Sequence, residues 1–122
     1  PGSNYGWPLV SEGNHYSGAV IPSHATRPEF TPPVVYWVPT LAPSGLIFYE
    51  GDEFKDWKGQ ALLGGLKGKS LVRLKFNDTK VLEEERFSWR VRVRDVEAQR
   101  NGSIWVIEDG SNARLIKFSS PD

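Results

Sequence analysis

The residues best placed to do chemistry form one row, Arg90-Val91-Arg92-Val93-Arg94-Asp95. Along an extended strand, side chains at i, i+2 and i+4 share a face, so the three arginines stand together if this segment is a strand. Three guanidiniums so placed repel one another unless water or an anion lies against them. Arginine is permanently charged and forks onto carboxylates, so a ligand carrying several carboxylates would suit the row. On spacing alone, a solvated strand face is the commoner explanation.

Other candidates carry less. Gly68-Lys69-Ser70 has the form of the end of a phosphate-binding loop. The first glycine of that motif would fall at Leu63, and the residues that follow read as strand, so no helix N-terminus is available for an anion. A hairpin turn is the better reading. The two histidines, His15 and His24, lie in the loop-like N-terminal third, where a lone histidine is usually an exposed polar residue. No group of Asp, Glu and His has metal-ligand spacing, and no segment resembles an EF-hand. Glu83-Glu84-Glu85 reads as a solvated strand edge more readily than as an acid/base pair. Five tryptophans would make a sugar-stacking platform, although tryptophans in β proteins more often fill the core. The chain has no cysteine, which excludes a disulfide framework, thiolate zinc sites and cysteine nucleophiles.

The elements that must position these residues are strands. Residues 1–33 contain Pro8, Pro22, Pro28, Pro32 and Pro33 among Gly and Ser, with no helical period. Tyr5, Trp7, Tyr16 and Phe30 suggest an ordered loop pinned to a surface. From Val34 the text turns β-branched and aromatic, with a strand-like run over Val34–Val38 that Pro39 and Pro43 interrupt. Apolar runs follow at 46–49, 61–63, 71–76 and 81–85, then at 91–98, 103–107 and 114–118. Asn77-Asp78-Thr79 and Asn101-Gly102 supply hairpin turns. The run Gln60–Leu63, a Gly-rich turn and Ser70–Leu74 recurs as Gly102–Ile107, a turn and Ala113–Lys117. The offset is roughly 43 residues, within the range for a four-stranded propeller blade. Two such repeats cannot close a propeller, which takes typically 4–8 blades; a small β-sandwich with similar hairpins is the alternative.

Composition sets outer bounds. The 122 residues hold 15 basic and 15 acidic side chains, 12 Gly and 9 Pro, with 39% hydrophobic residues. That suits a single all-β domain or part of one, and excludes coiled coil and collagen. A neutral chain lacks the basic field of non-specific nucleic-acid binding, and no apolar stretch is long enough to span a bilayer as a helix. Pro1-Gly2-Ser3-Asn4 has no Met and no leader-like pattern, so the chain is expected to begin mid-protein.

Four motifs occur in order: Asn4-Tyr5-Gly6-Trp7-Pro8, then Trp37-Val38-Pro39-Thr40-Leu41-Ala42-Pro43-Ser44-Gly45, then Gly65-Leu66-Lys67, then Arg92-Val93-Arg94-Asp95-Val96 ahead of an Asn-Gly turn. Together they resemble the C-terminal part of the soluble PQQ-dependent sugar dehydrogenases, the glucose/sorbosone dehydrogenase family, especially its aldose sugar dehydrogenase branch. The resemblance covers nearly the whole chain and implies a six-bladed propeller with pyrroloquinoline quinone (PQQ) over its central face. Within it, residues 1–33 are expected as a loop, 34–90 as one blade and 91–122 as a partial last blade.

In the family, a histidine base takes the proton of the sugar C1 hydroxyl while hydride passes to the quinone, giving a lactone. Carried over motif by motif, Lys67, Arg92 and Arg94 match the basic cofactor contacts and Thr40 a polar one, while Tyr36 and Trp37 fall where the family lines its substrate mouth. The quinone's three carboxylates agree with the argument from the arginine row. The catalytic histidine and the Gly-Pro segment that holds calcium would lie upstream, and neither His15 nor His24 takes over the base. The resemblance implies an aldose, an electron acceptor and the remaining blades as partners, and a periplasmic or secreted parent. The piece alone is expected to be inactive and prone to self-association through its free strand edges. A non-catalytic fragment that binds a sugar or a protein, or an assembly module, is the competing reading.

Overall fold

The computed structural model describes residues 1–121, with the side chain of Glu84 outside that description. The Glu84 side chain of the acidic run and Asp122 of the expected last blade therefore lie outside the description. Backbone contacts divide the chain into two units, Pro1–Thr40 and the residues from Leu41 onward.

The first unit contains one 3-10 turn, His24–Thr26, and no strand among its described residues. Short bonds hold it instead. The Asn4 side-chain oxygen accepts the Gly6 N–H at 2.9 Å, and the Thr31 N–H reaches back to the Asn4 carbonyl at 2.9 Å. Val10 and Ile21 are buried. The strand expected over Val34–Val38 does not form. Pro32, Pro33 and Pro39 bracket the run; each lacks an N–H and fixes its own φ, so the β-branched residues have no ladder to join.

The second unit is two antiparallel meanders, in the order β1-β2-β3-β4 and β5-β6-β7. The first comprises β1 (Pro43–Phe48), β2 (Ala61–Gly65), β3 (Ser70–Asn77) and β4 (Lys80–Ser88). The second comprises β5 (Arg92–Ala98), β6 (Ile104–Asp109) and β7 (Leu115–Phe118). The all-β expectation holds. Ala61 opens β2 and Ile104 opens β6, so β1-β2-β3 and β5-β6-β7 are the two copies of the sequence repeat; β4 has no counterpart among the described residues of the second sheet. Pro43 stands first in β1, where a strand loses least from a missing donor. Asp78, in the positive-φ region at +50°, turns β3 into β4 as the Asn-Asp-Thr signal predicts.

The sheets bury one core between them. Tyr49, Leu62 and Leu71 of the first meet Val93, Val96, Ile104 and Val106 of the second, with Phe54, Trp57, Phe87 and Trp89 packed around them. Trp57 and Trp89 are thus core tryptophans, whereas Trp7 in the first unit is 69% exposed. Val93 and Val96 are both buried although three residues apart, which simple alternation forbids. The register slips between Val93 and Asp95, leaving Arg94 as the extra residue of a β-bulge and returning Val96 to the core face.

Tyr49 ties the loops at one end of this core. Its fully buried hydroxyl donates to the Gly102 carbonyl at 2.7 Å and accepts the Phe54 N–H at 3.1 Å. Tyr49→Phe removes both bonds and leaves the buried Gly102 carbonyl and the half-buried Phe54 N–H without that partner, which should cost about 1–3 kcal/mol. Denaturant unfolding of the whole protein checks this; an unchanged midpoint would show that the hydroxyl bridge contributes nothing.

Candidate functional site

Very small residues let the two sheets approach closely where β1 and β2 meet β5. The Ser44 hydroxyl donates to the Val93 carbonyl at 2.8 Å. A Cβ on Gly45 would fall 1.6 Å from an Asp95 carboxylate oxygen, and one on Gly64 would fall 3.0 Å from Val93 Cγ1. Because Pro43 pairs with Gly65, this contact lies where β1 begins, β2 ends and β5 begins. The turn after β2 carries Lys67, and the start of β5 carries Arg92 and Arg94. The topology thus brings three of the expected cofactor residues to one end of the packed sheets.

The Lys67 turn is fixed by its backbone. The Leu66 N–H donates to the Ala42 carbonyl at 2.9 Å, and the Gly68 N–H to the Leu41 carbonyl at 3.0 Å. The buried Leu41 side chain lies where a Cβ on Gly65 or Gly68 would be, at 2.6 and 2.4 Å. This explains the glycines of Gly65-Leu66-Lys67-Gly68 as a packing requirement, in agreement with the hairpin-turn reading. Lys67 itself is exposed.

Arg92 and Arg94 share one carboxylate, and it is not that of Asp95. Arg92 is the cross-strand partner of Asp109; its Nε lies 2.8 Å from Asp109 Oδ2. Arg94, displaced by the bulge, places Nη2 at 3.0 Å and Nε at 3.3 Å from Asp109 Oδ1. Asp95 instead accepts the Val96 N–H at 2.9 Å. Arg90, third of the sequence row, precedes β5 and is exposed. The arginine row is therefore a pair joined by an aspartate, with Arg90 outside the strand. The sequence carries no sign of Asp109 as their partner: regular pairing counted back from the Asn101-Gly102 turn would set Arg92 opposite Gly110, and only the bulge brings Asp109 opposite it.

Glu108, next to Asp109, faces the other way, as strand alternation requires. Its buried carboxylate accepts from Arg114 Nη2 at 2.6 Å, Arg114 Nε at 2.9 Å, the Arg114 N–H at 3.0 Å and Trp89 Nε1 at 2.9 Å. The Arg114 guanidinium foremost, against the cost of burial, lowers its pKa from 4.5 to about 2. A folded pKa below the unfolded one adds stability that is complete above about 4.5 and disappears as pH falls through about 2. Glu108→Gln should therefore lower stability at neutral pH and flatten the acid limb between those values in a pH series of unfolding midpoints. An unaltered acid limb would show that the clamp is not coupled to folding.

In the first unit, Tyr36, Trp37 and Thr40 line a cavity of about 530 Å³ together with Trp7, Glu12, His15 and His24. Residues expected to face the substrate and one expected to face the cofactor thus border the same space. His24 is not the exposed loop residue expected: its side chain is only 10% exposed. Nδ1 lies 3.1 Å from Glu12 Oε1 and Nε2 lies 2.9 Å from the Tyr5 carbonyl. Both ring nitrogens thus have partners within the protein. His15 is exposed and sits 6.2 Å, ring to ring, from Trp7. Among the described residues no three His, Asp or Glu gather as for a metal ion.

Residues 1–117 match the model of the glucose/sorbosone dehydrogenase family. The chain belongs to that family. It is similar to the aldose sugar dehydrogenase of Escherichia coli K12, with 37% identity over 124 residues, covering 97% of this chain and 33% of that protein. In structure it is similar to a crystallised glucose dehydrogenase at a TM-score of 0.87 and 33% identity, over 99% of this chain and 36% of that one. A PQQ-bound aldose sugar dehydrogenase from Streptomyces coelicolor matches at a TM-score of 0.59 and 25% identity, over 96% and 33% of the two chains. The chain spans about a third of the length of these relatives.

Proposed function

We propose that this chain forms the cation-bearing wall of the cofactor site in a PQQ-dependent aldose dehydrogenase that oxidises the C1 hydroxyl of a sugar to a lactone. The observation that carries the reading is the Arg92–Asp109–Arg94 group, at the same end of the packed sheets as the Lys67 turn. Two arginines sharing one carboxylate keep a net positive charge. Each guanidinium has five donors, of which Asp109 takes only part. That donor set fits a ligand with three carboxylates, because forked charge-assisted bonds to arginine are the strong form of such contacts. When bound, PQQ supplies the two-electron acceptor for the oxidation.

In this reading Arg92, Arg94 and Lys67 hold and orient the cofactor's carboxylates, and Thr40 is a further polar contact by family likeness. Tyr36 and Trp37 present aromatic faces to the sugar. Calcium, the general base and the remaining blades of a six-bladed ring come from outside these residues, and a separate acceptor takes the electrons, in a periplasmic or secreted parent. The name of the E. coli relative and the PQQ-bound state of the Streptomyces relative support the assignment.

The test is dye-linked oxidation of aldoses by the whole protein, prepared without cofactor and then supplied with PQQ and calcium. Oxidation should appear only when PQQ is present. A folded, loaded protein that oxidises no aldose, or one that does so without PQQ, would overturn the proposal.

A further inference from the structure

Asp109 holds the two arginines but is not one of the residues that the family likeness places at the cofactor. We infer that Asp109 is a positioning residue: its carboxylate pre-aligns Arg92 and Arg94 as a pair, so that an anionic cofactor meets two guanidiniums already oriented. The inference rests on the cofactor reading above.

The geometry supports it at three points. First, each oxygen of Asp109 serves a different arginine, Oδ2 at 2.8 Å from Arg92 and Oδ1 at 3.0 Å from Arg94. Second, the second contact depends on the bulge. Regular pairing would set Arg94 nearer the register of Ile107; as the extra residue, it reaches back to Asp109. Third, the aspartate is the less exposed member, at 26% against 52% and 49% for the arginines. A half-exposed ion pair contributes little to stability, so the arrangement has little value to the fold alone. What it limits is side-chain freedom. Long arginine side chains lose rotamer entropy when a ligand orders them, and part of that loss is already made here.

Charge and positioning predict opposite signs for one substitution. Asp109→Asn removes a negative charge beside an anion site, which by Coulomb's law alone should tighten binding of an anionic ligand. If Asp109 positions the arginines, the same change should weaken binding. The experiment titrates PQQ into the cofactor-free whole protein, followed by quenching of tryptophan fluorescence, for wild type, Asp109→Asn, Asp109→Ser, Asp109→Glu and Arg94→Ala. The absorption maximum of the bound quinone is recorded for each.

The dissociation constant is expected to rise about tenfold in the Asn and Ser variants, equivalent to about 1.4 kcal/mol. The quinone band should shift in both, and Glu, which retains the carboxylate, should recover part of the affinity. Unchanged or tighter binding in the Asn and Ser variants would overturn the inference. So would failure of both to fold, since Asp109 would then be a structural residue. If Arg94→Ala also leaves the constant unchanged, the cofactor reading itself fails; if only the Arg94 variant loses affinity, the reading stands and the role of Asp109 falls.

Discussion

Arg94→Ala in the whole protein is expected to raise the dissociation constant for PQQ by roughly thirtyfold or more. Truncating one partner of a hydrogen-bonded charge pair that the bound cofactor would desolvate costs about 2–5 kcal/mol, and each 1.4 kcal/mol is tenfold. Arg92→Ala should behave alike, because Arg92 shares the Asp109 carboxylate from the neighbouring register position. Arg90→Ala is the control: Arg90 precedes β5 and takes no part in the Asp109 group. Cofactor titration checks all three. Equal, small effects with folding intact would return the arginines to the role of a solvated strand face.

The second large effect is expected at Gly45. A Cβ there falls 1.6 Å from Asp95 Oδ1 and 3.0 Å from the Asp95 Cα. The carboxylate can turn aside, but the backbone of β5 can yield only if the sheets separate. Gly45→Val should destabilise the protein by about 3 kcal/mol, the upper part of the usual cost of overpacking. It should also weaken PQQ binding, because the separation displaces β5 and with it Arg92 and Arg94. Gly13→Ala provides the comparison, since its nearest neighbour would be a side-chain oxygen at 3.9 Å. Thermal unfolding beside cofactor titration reads both consequences; a Gly45 variant as stable as wild type would contradict the close-packed account of this end.

Strands were legible where local signals agreed. The alternation of 71–76, the Asn77-Asp78-Thr79 turn and the Asn101-Gly102 turn each place a hairpin, and the repeat of roughly 43 residues recurs as two matching meanders. Val34–Val38 has the composition of a strand but forms none, since a ladder needs matching donors and the flanking prolines remove them. The arginine row was legible as residue types and illegible as geometry. A bulge at Arg94 and a strand beginning at Arg92 decide which arginines act together, and neither is written in the alternation. Asp109 and the Glu108–Arg114 clamp depend on hairpin register, which composition does not state. His24 gives no local sign that Glu12 and the Tyr5 carbonyl enclose it.

The most direct test of the central claim is an experimental structure of the whole protein with PQQ bound. Carboxylate oxygens of the quinone should lie about 2.7–2.9 Å from the guanidinium nitrogens of Arg92 and Arg94, as charge-assisted bonds do. Asp109 should still bridge the pair from behind, and the Lys67 ammonium should face the same ligand. A quinone bound elsewhere, with both arginines directed only to Asp109 and water, would contradict the account.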